Sequence, residues 1–200
     1  MVSFLLNNVF IWKFFRKFLD KVFGLYRKRL LAIKALGIND QMSVIDVGCG
    51  MGQFSDITKN QYLGIDLSEE YIDTARAIYF NDQNKQFLCK DLTTAKLPED
   101  SYDVAILIDF THHMGRKELE NLFISLNKIV RKYVVFSDPV LQNTKNIWGR
   151  ALTFLDRGEY FRSEADIITL ISKYFNILKV KKISGIGIKG VLVLSKPKLN

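Results

Sequence analysis

Residues 44–52, VIDVGCGMG, decide the fold. A short apolar run carrying one acid, Asp46, is followed at once by Gly48, Gly50 and Gly52. An apolar run of this length reads as a buried parallel strand. Glycines directly after it permit a tight turn with positive φ and a close backbone approach to a ligand. The spacing predicts a helix over 52–59, whose first amides would face that ligand. The pattern is G-x-G-x-G, not the G-x-G-x-x-G of dinucleotide enzymes. A carboxylate before the first glycine would not help a pyrophosphate, so Asp46 suits a ligand with a cationic end.

Working outward, strand and acid recur. QYLGIDL at 61–67 ends on Asp66, twenty residues after Asp46. An acid at that distance, on the tip of the second strand, is placed to accept both hydroxyls of a ribose. QFLCKDL ends near Asp91, and the apolar YDVAILIDF leads into THHM at 111–114. The alternation continues: β1 43–47, helix 52–59, β2 62–66, helix 68–80, β3 86–89, β4 102–108, helix 115–130, β5 132–137. After an excursion over 138–163 come a helix over 163–174, β6 175–182 and β7 190–195. This is an α/β, Rossmann-like, doubly wound chain, and ligands of such sheets bind along the carboxyl edge of the strands.

The run VIDVGCGMGQFS…YLGIDLSEEYIDTAR…FLCKDLTTAKLPEDSYDVAILIDFTHHM resembles the class I S-adenosylmethionine-dependent methyltransferases, and is similar to their small-molecule members of types 11 and 25. The resemblance covers roughly residues 40–140. It implies a seven-stranded, mostly parallel sheet with an antiparallel last strand. It also implies S-adenosylmethionine as cofactor, with Asp46, Gly48, Cys49, Gly50 and Gly52 around its methionine part. Asp66 and Leu67 would meet the ribose side, Asp91 and Leu92 would flank the adenine, and Ile108 would complete the set.

Methyl transfer from a sulfonium is an in-line displacement that mainly requires alignment. A base is needed where the acceptor must lose a proton. His112 and His113, the only histidines, and Asp109 follow strand four, where an acceptor would sit. His113 is marginally preferred, and the alternative for either histidine is a loop residue that shapes the pocket. Residues 138–163 are the expected acceptor-recognition insertion, with Trp148, Arg157 and Tyr160 as acceptor-binding candidates and Arg150 and Arg162 as further cations for a phosphate or carboxylate. The equal alternative is a helical cap with solvated arginines.

Composition sets the remaining bounds. Two hundred residues, 48% apolar, suffice for one core. Two cysteines make no disulfide framework, so a reducing, cytoplasmic setting is expected. Cys49 is read as a small turn residue and Cys89 as strand packing. No metal-ligand spacing appears, so no metal is expected.

Residues 1–34 hold +7 of the net charge of +8, leaving the other 166 residues at +1. The expected division is therefore a basic amphipathic helical arm over 1–36 and a catalytic domain over 37–200. Three roles stay open for the arm: a lid over the cofactor, with Tyr26 or Arg27 reaching its carboxylate; a peripheral contact with an anionic inner-membrane face; or an RNA-binding arm. The nearly neutral core makes nucleic acid the weakest partner. The leading reading is an S-adenosylmethionine-dependent methyltransferase acting on O or N of a small-molecule, lipid or glycan-precursor acceptor. The alternatives are an RNA methyltransferase and an inactive cofactor-binding module. Oligomeric state is not legible.

Overall fold

A computed structural model describes residues 25–155, 158–185 and 187–198. Seven strands form one sheet in the order β3-β2-β1-β4-β5-β7-β6. They are β1 (Val44–Val47), β2 (Tyr62–Asp66), β3 (Lys85–Cys89), β4 (Tyr102–Ile108), β5 (Val130–Pro139), β6 (Phe175–Gly185) and β7 (Ile188–Pro197). The first five pair in parallel, and β7 enters antiparallel between β5 and β6. The order of strand addition reverses after β3, so β1 and β4 are central neighbours and their carboxyl ends frame the crevice where such sheets bind ligands.

The helices are α1 (Leu25–Lys34), α2 (Glu69–Ile78), α3 (Arg116–Ile129), α4 (Ile147–Leu155) and α5 (Glu164–Tyr174). Period-two alternation sends successive side chains of each strand to opposite faces. Ile45, Val47, Ile65 and Leu107 pack with Leu122 and Leu126 of α3 and Ile167 and Ile171 of α5. Val44, Tyr62, Ile106 and Leu194 pack on the other face with Ile33 of α1 and Ile72 and Ala75 of α2. Ser68 caps α2, its hydroxyl accepting from the Tyr71 amide at 3.4 Å, with Glu69 and Glu70 in the first turn.

Three expectations change. Residues 52–59 form no α-helix; the segment is turns with a single 3-10 turn at Ser55–Ile57. A parallel crossover usually needs a dozen or more residues with a helix among them, and here the chain is pulled back early. The Thr58 hydroxyl donates to the Met42 carbonyl at 2.7 Å and the Lys59 amide to the Asp40 carbonyl at 2.8 Å, with Phe54 and Ile57 buried above.

The last hairpin is longer than read, because β6 runs to Gly185 and β7 starts at Ile188. Cys89 is exposed, since β3 is an edge strand and only Phe87 of it is buried. The described end of the arm packs on the core: Ile33 is fully buried, and the Tyr26 ring meets Phe54 edge-on at 5.5 Å. Residues 1–24, and with them most of the arm, lie outside the described residues.

Candidate functional site

The glycine turn is strapped to the tip of β2. Gly48, Gly50 and Gly52 have φ of 74°, 53° and 80°. The Gly48 and Cys49 amides both donate to the Ile65 carbonyl, at 2.8 and 3.1 Å. Gly48 is required twice over. Its φ excludes ordinary side chains, and a Cβ there would lie 2.2 Å from the Phe110 ring.

Asp66 is held from two sides. Its Oδ2 accepts the Gly50 amide and its Oδ1 the Ser68 amide, each at 2.9 Å. Each oxygen retains acceptor capacity, so the carboxylate is oriented without being used up. Beside it Leu67 is 71% exposed, a large apolar surface at the strand tip. After neighbouring β3 the chain turns at Asp91, whose Oδ1 accepts the Thr93 amide and hydroxyl at 2.8 Å each. Leu92 and Ile108 are buried beneath this edge. The structure therefore brings together the turn, Asp66, Leu67 and Asp91.

Asp46 sits differently from a residue on an open rim. It lies within β1, is 1% exposed, and its Oδ2 accepts the Tyr62 hydroxyl at 2.6 Å. Burial pushes its carboxyl up to about 7, opposed by the Tyr62 hydrogen bond and reinforced by the Asp66 charge. Burial likewise pushes the Tyr62 hydroxyl and the Cys49 thiol well up, which makes Cys49 a packing residue.

A second group forms where β4 and β5 end. Asp109 adopts φ of 51° and donates its amide to the Ser137 carbonyl at 2.7 Å. Its Oδ2 faces the guanidinium of Arg29 on α1. A carboxylate paired with arginine is a poor proton acceptor, which weighs against Asp109 as a base. His112 is buried; its Nδ1 lies 2.6 Å from Asp138 Oδ1, and the other Asp138 oxygen accepts the Thr111 hydroxyl.

The residues after α4 close over the His112 ring. Phe161 stacks on it with centroids 5.0 Å apart, and a Cβ on Gly158 would fall 2.3 Å from its Cδ2. The Tyr160 amide donates to the His112 carbonyl at 2.9 Å. Arg162 donates to the Thr111 and Met114 carbonyls at 3.0 and 2.6 Å. Burial pulls its guanidinium below the usual arginine value. Arg162 thus ties the segment after α4 to main-chain carbonyls of the loop after β4.

His113, with its ring 4.2 Å from that of His112, is exposed. Tyr160 is partly exposed under the Arg162 guanidinium. Trp148 falls in α4, though its side chain is outside the description, and Arg157 lies outside the described residues. Sequence reasoning missed the roles of Asp138, Arg29, Phe161 and Gly158, all of which lie more than twenty positions from the group they touch. Among the described residues no group of three or more His, Cys, Asp or Glu side chains could hold a metal ion.

Residues 44–133 match the family model described as a methyltransferase domain. The chain is similar to methyltransferase domains over that stretch. Its fold is shared by a protein from Pyrococcus horikoshii with a TM-score of 0.70 at 20% identity, covering 86% of this chain and 91% of that one. A SAM-dependent methyltransferase from Methanosarcina mazei follows at 0.69 and 15%, covering 84% and 98%. The magnesium protoporphyrin IX methyltransferase of Synechocystis, solved with bound S-adenosylhomocysteine, gives 0.66 and 19%, covering 88% and 82%. At these identities the likeness to the methyltransferase domain is one of fold. No curated protein matches the sequence.

Proposed function

We propose that the chain transfers the methyl group of S-adenosylmethionine to an oxygen or nitrogen of a small-molecule or lipid-linked acceptor. The observation that carries this reading is the Asp66 carboxylate, oriented by the Gly50 and Ser68 amides beside exposed Leu67. That pairing fits a nucleoside, with hydrogen bonds to a diol from the acid and apolar contact to the base from Leu67. Asp91, after the neighbouring strand, keeps Oδ2 as acceptor capacity for an exocyclic amino group. The glycine turn lets the backbone approach the amino-acid end, with Asp46 as the buried counter-charge beneath it. When bound, the cofactor supplies an electrophilic methyl on a sulfonium.

The acceptor side belongs to the tips of β4 and β5. Asp138, Phe161 and Gly158 fix His112 as the floor of that region. His113, exposed beside it, is the group an acceptor can reach and the candidate to take its proton. The test is incubation with methyl-labelled S-adenosylmethionine and fractionated cell extract. Label in a low-molecular-weight or organic-soluble fraction, lost in Asp66→Ala, supports the reading. Label confined to RNA would refute it.

A further inference from the structure

α4 and the β6–β7 hairpin end expose a ridge that the site does not use. Ile147 is 76% and Phe154 86% exposed, seven residues apart on one side of α4, with exposed Arg150 between them. The opposite side holds the helix to the hairpin. A Cβ on buried Gly149 would lie 2.7 Å from the Gly187 carbonyl. Asn146 donates to that carbonyl at 2.6 Å and accepts the Gly149 amide at 3.0 Å. The outward direction of Ile147 and Phe154 is therefore built in. Leu141, 65% exposed, continues the apolar surface toward the end of β5.

The charge flanking this ridge is predominantly positive, although Asp156 directly follows the helix. Residues 140–155 and 176–198 contain no Asp or Glu, and carry Lys145, Arg150, Lys179, Lys181, Lys182, Lys189, Lys196 and Lys198. Lys145, Arg150 and Lys189 are exposed next to the ridge. Among them only Lys182 has a described acidic partner, Glu164. Exposed large apolar side chains flanked by unbalanced cations are the pattern of a helix lying in an anionic lipid interface. A second copy of the chain fits less well, because a two-fold contact would set Arg150 and Lys145 against themselves.

We propose that the outer face of α4, with Ile147 and Phe154 entering the headgroup layer and Lys145, Arg150 and Lys189 over it, docks the protein on an anionic lipid bilayer. Docking there places the edge where β4 and β5 end beside the interface, within reach of an acceptor whose polar head stands out of the bilayer. The inference rests on α4 and its charges and not on methyl transfer, so vesicle binding read without cofactor tests it separately from the proposed function.

The test is co-sedimentation of the full chain with phosphatidylcholine vesicles, with and without phosphatidylglycerol. Binding is expected only with phosphatidylglycerol and should weaken with salt. The Ile147→Glu, Phe154→Asp double variant should bind about tenfold or more weakly, while Ile124→Asp, on the exposed side of α3, binds as the parent does. Circular dichroism confirms that each variant is folded. No binding by the intact chain, or equal binding by the double variant, overturns the proposal. So does a change of oligomeric state in the double variant without a change in vesicle binding, which would assign the ridge to a second copy.

Discussion

Tyr62 and Asp46, on adjacent parallel strands, share a 2.6 Å hydrogen bond beneath the glycine turn, with neither residue open to solvent. A buried acid with one hydroxyl donor is poorly compensated when charged, which is why its pKa rises to about 7. A folded-state value above the unfolded one of 3.8 means the associated stability is full below about pH 4. That stability is lost as pH rises through 7, on the order of 4 kcal/mol across the window. Asp46→Asn should flatten that part of the stability–pH curve, measured by urea unfolding from pH 4 to 8. A parent curve that rises over this range would contradict the assignment.

Tyr62→Phe removes the donor and leaves the carboxyl buried without it. The expected cost is about 1–3 kcal/mol at pH 8, where Asp46 is charged, and less at pH 5. Equal cost at both values would mean that only packing was lost.

Gly48→Ala places a methyl group into the Phe110 ring and asks alanine to hold φ of 74°. The chain should lose roughly 2 kcal/mol or more of stability. Adding Phe110→Ala relieves the clash and not the backbone strain, so the double variant should recover only part. Full recovery would show that the turn tolerates a side chain.

Asp103 anchors the opposite edge of the sheet. Burial pushes its carboxyl up, but the Ser43 amide at 3.0 Å, the Lys132 ammonium and the Arg131 guanidinium outweigh that and hold it below the usual carboxylate value. A depressed folded value contributes stability above the unfolded pKa that is lost as pH falls through the folded one. Asp103→Asn should therefore be destabilised at pH 7 and approach the parent in strong acid, as acid unfolding monitored by tyrosine fluorescence would report.

Arg29 reaches from α1 to Asp109 across the tip of β4. Arg29→Met should loosen α1 while the sheet stays intact. In hydrogen exchange, amides of residues 25–34 would exchange about tenfold faster or more, and those of β4 would be unchanged. Uniform acceleration would mean that α1 is part of the cooperative core.

The sheet and the cofactor edge were legible in the sequence because their signals are local. Val44–Val47 and Tyr62–Asp66 are apolar runs with an acid at a fixed place, and the glycine triplet lies between them. The missing helix after Gly52 was not legible, because the Thr58 and Lys59 contacts that pull the crossover back join residues 16 to 19 positions apart. The surroundings of His112 were hidden for the same reason. Its partner Asp138 is 26 residues away and Phe161 comes from beyond α4, and no spacing links them. Asp46 was legible by type and position as a candidate, but its burial under Tyr62 shows only in the structure.

The central claim is that Asp66 and the glycine turn hold S-adenosylmethionine. Titration calorimetry of the intact chain should give a dissociation constant in the roughly micromolar range, near −8 kcal/mol. Asp66→Ala, shown to be folded by circular dichroism, should bind at least about tenfold more weakly. An intact, folded chain that releases no heat with S-adenosylmethionine, or an Asp66→Ala variant that binds as tightly as its parent, would contradict the account.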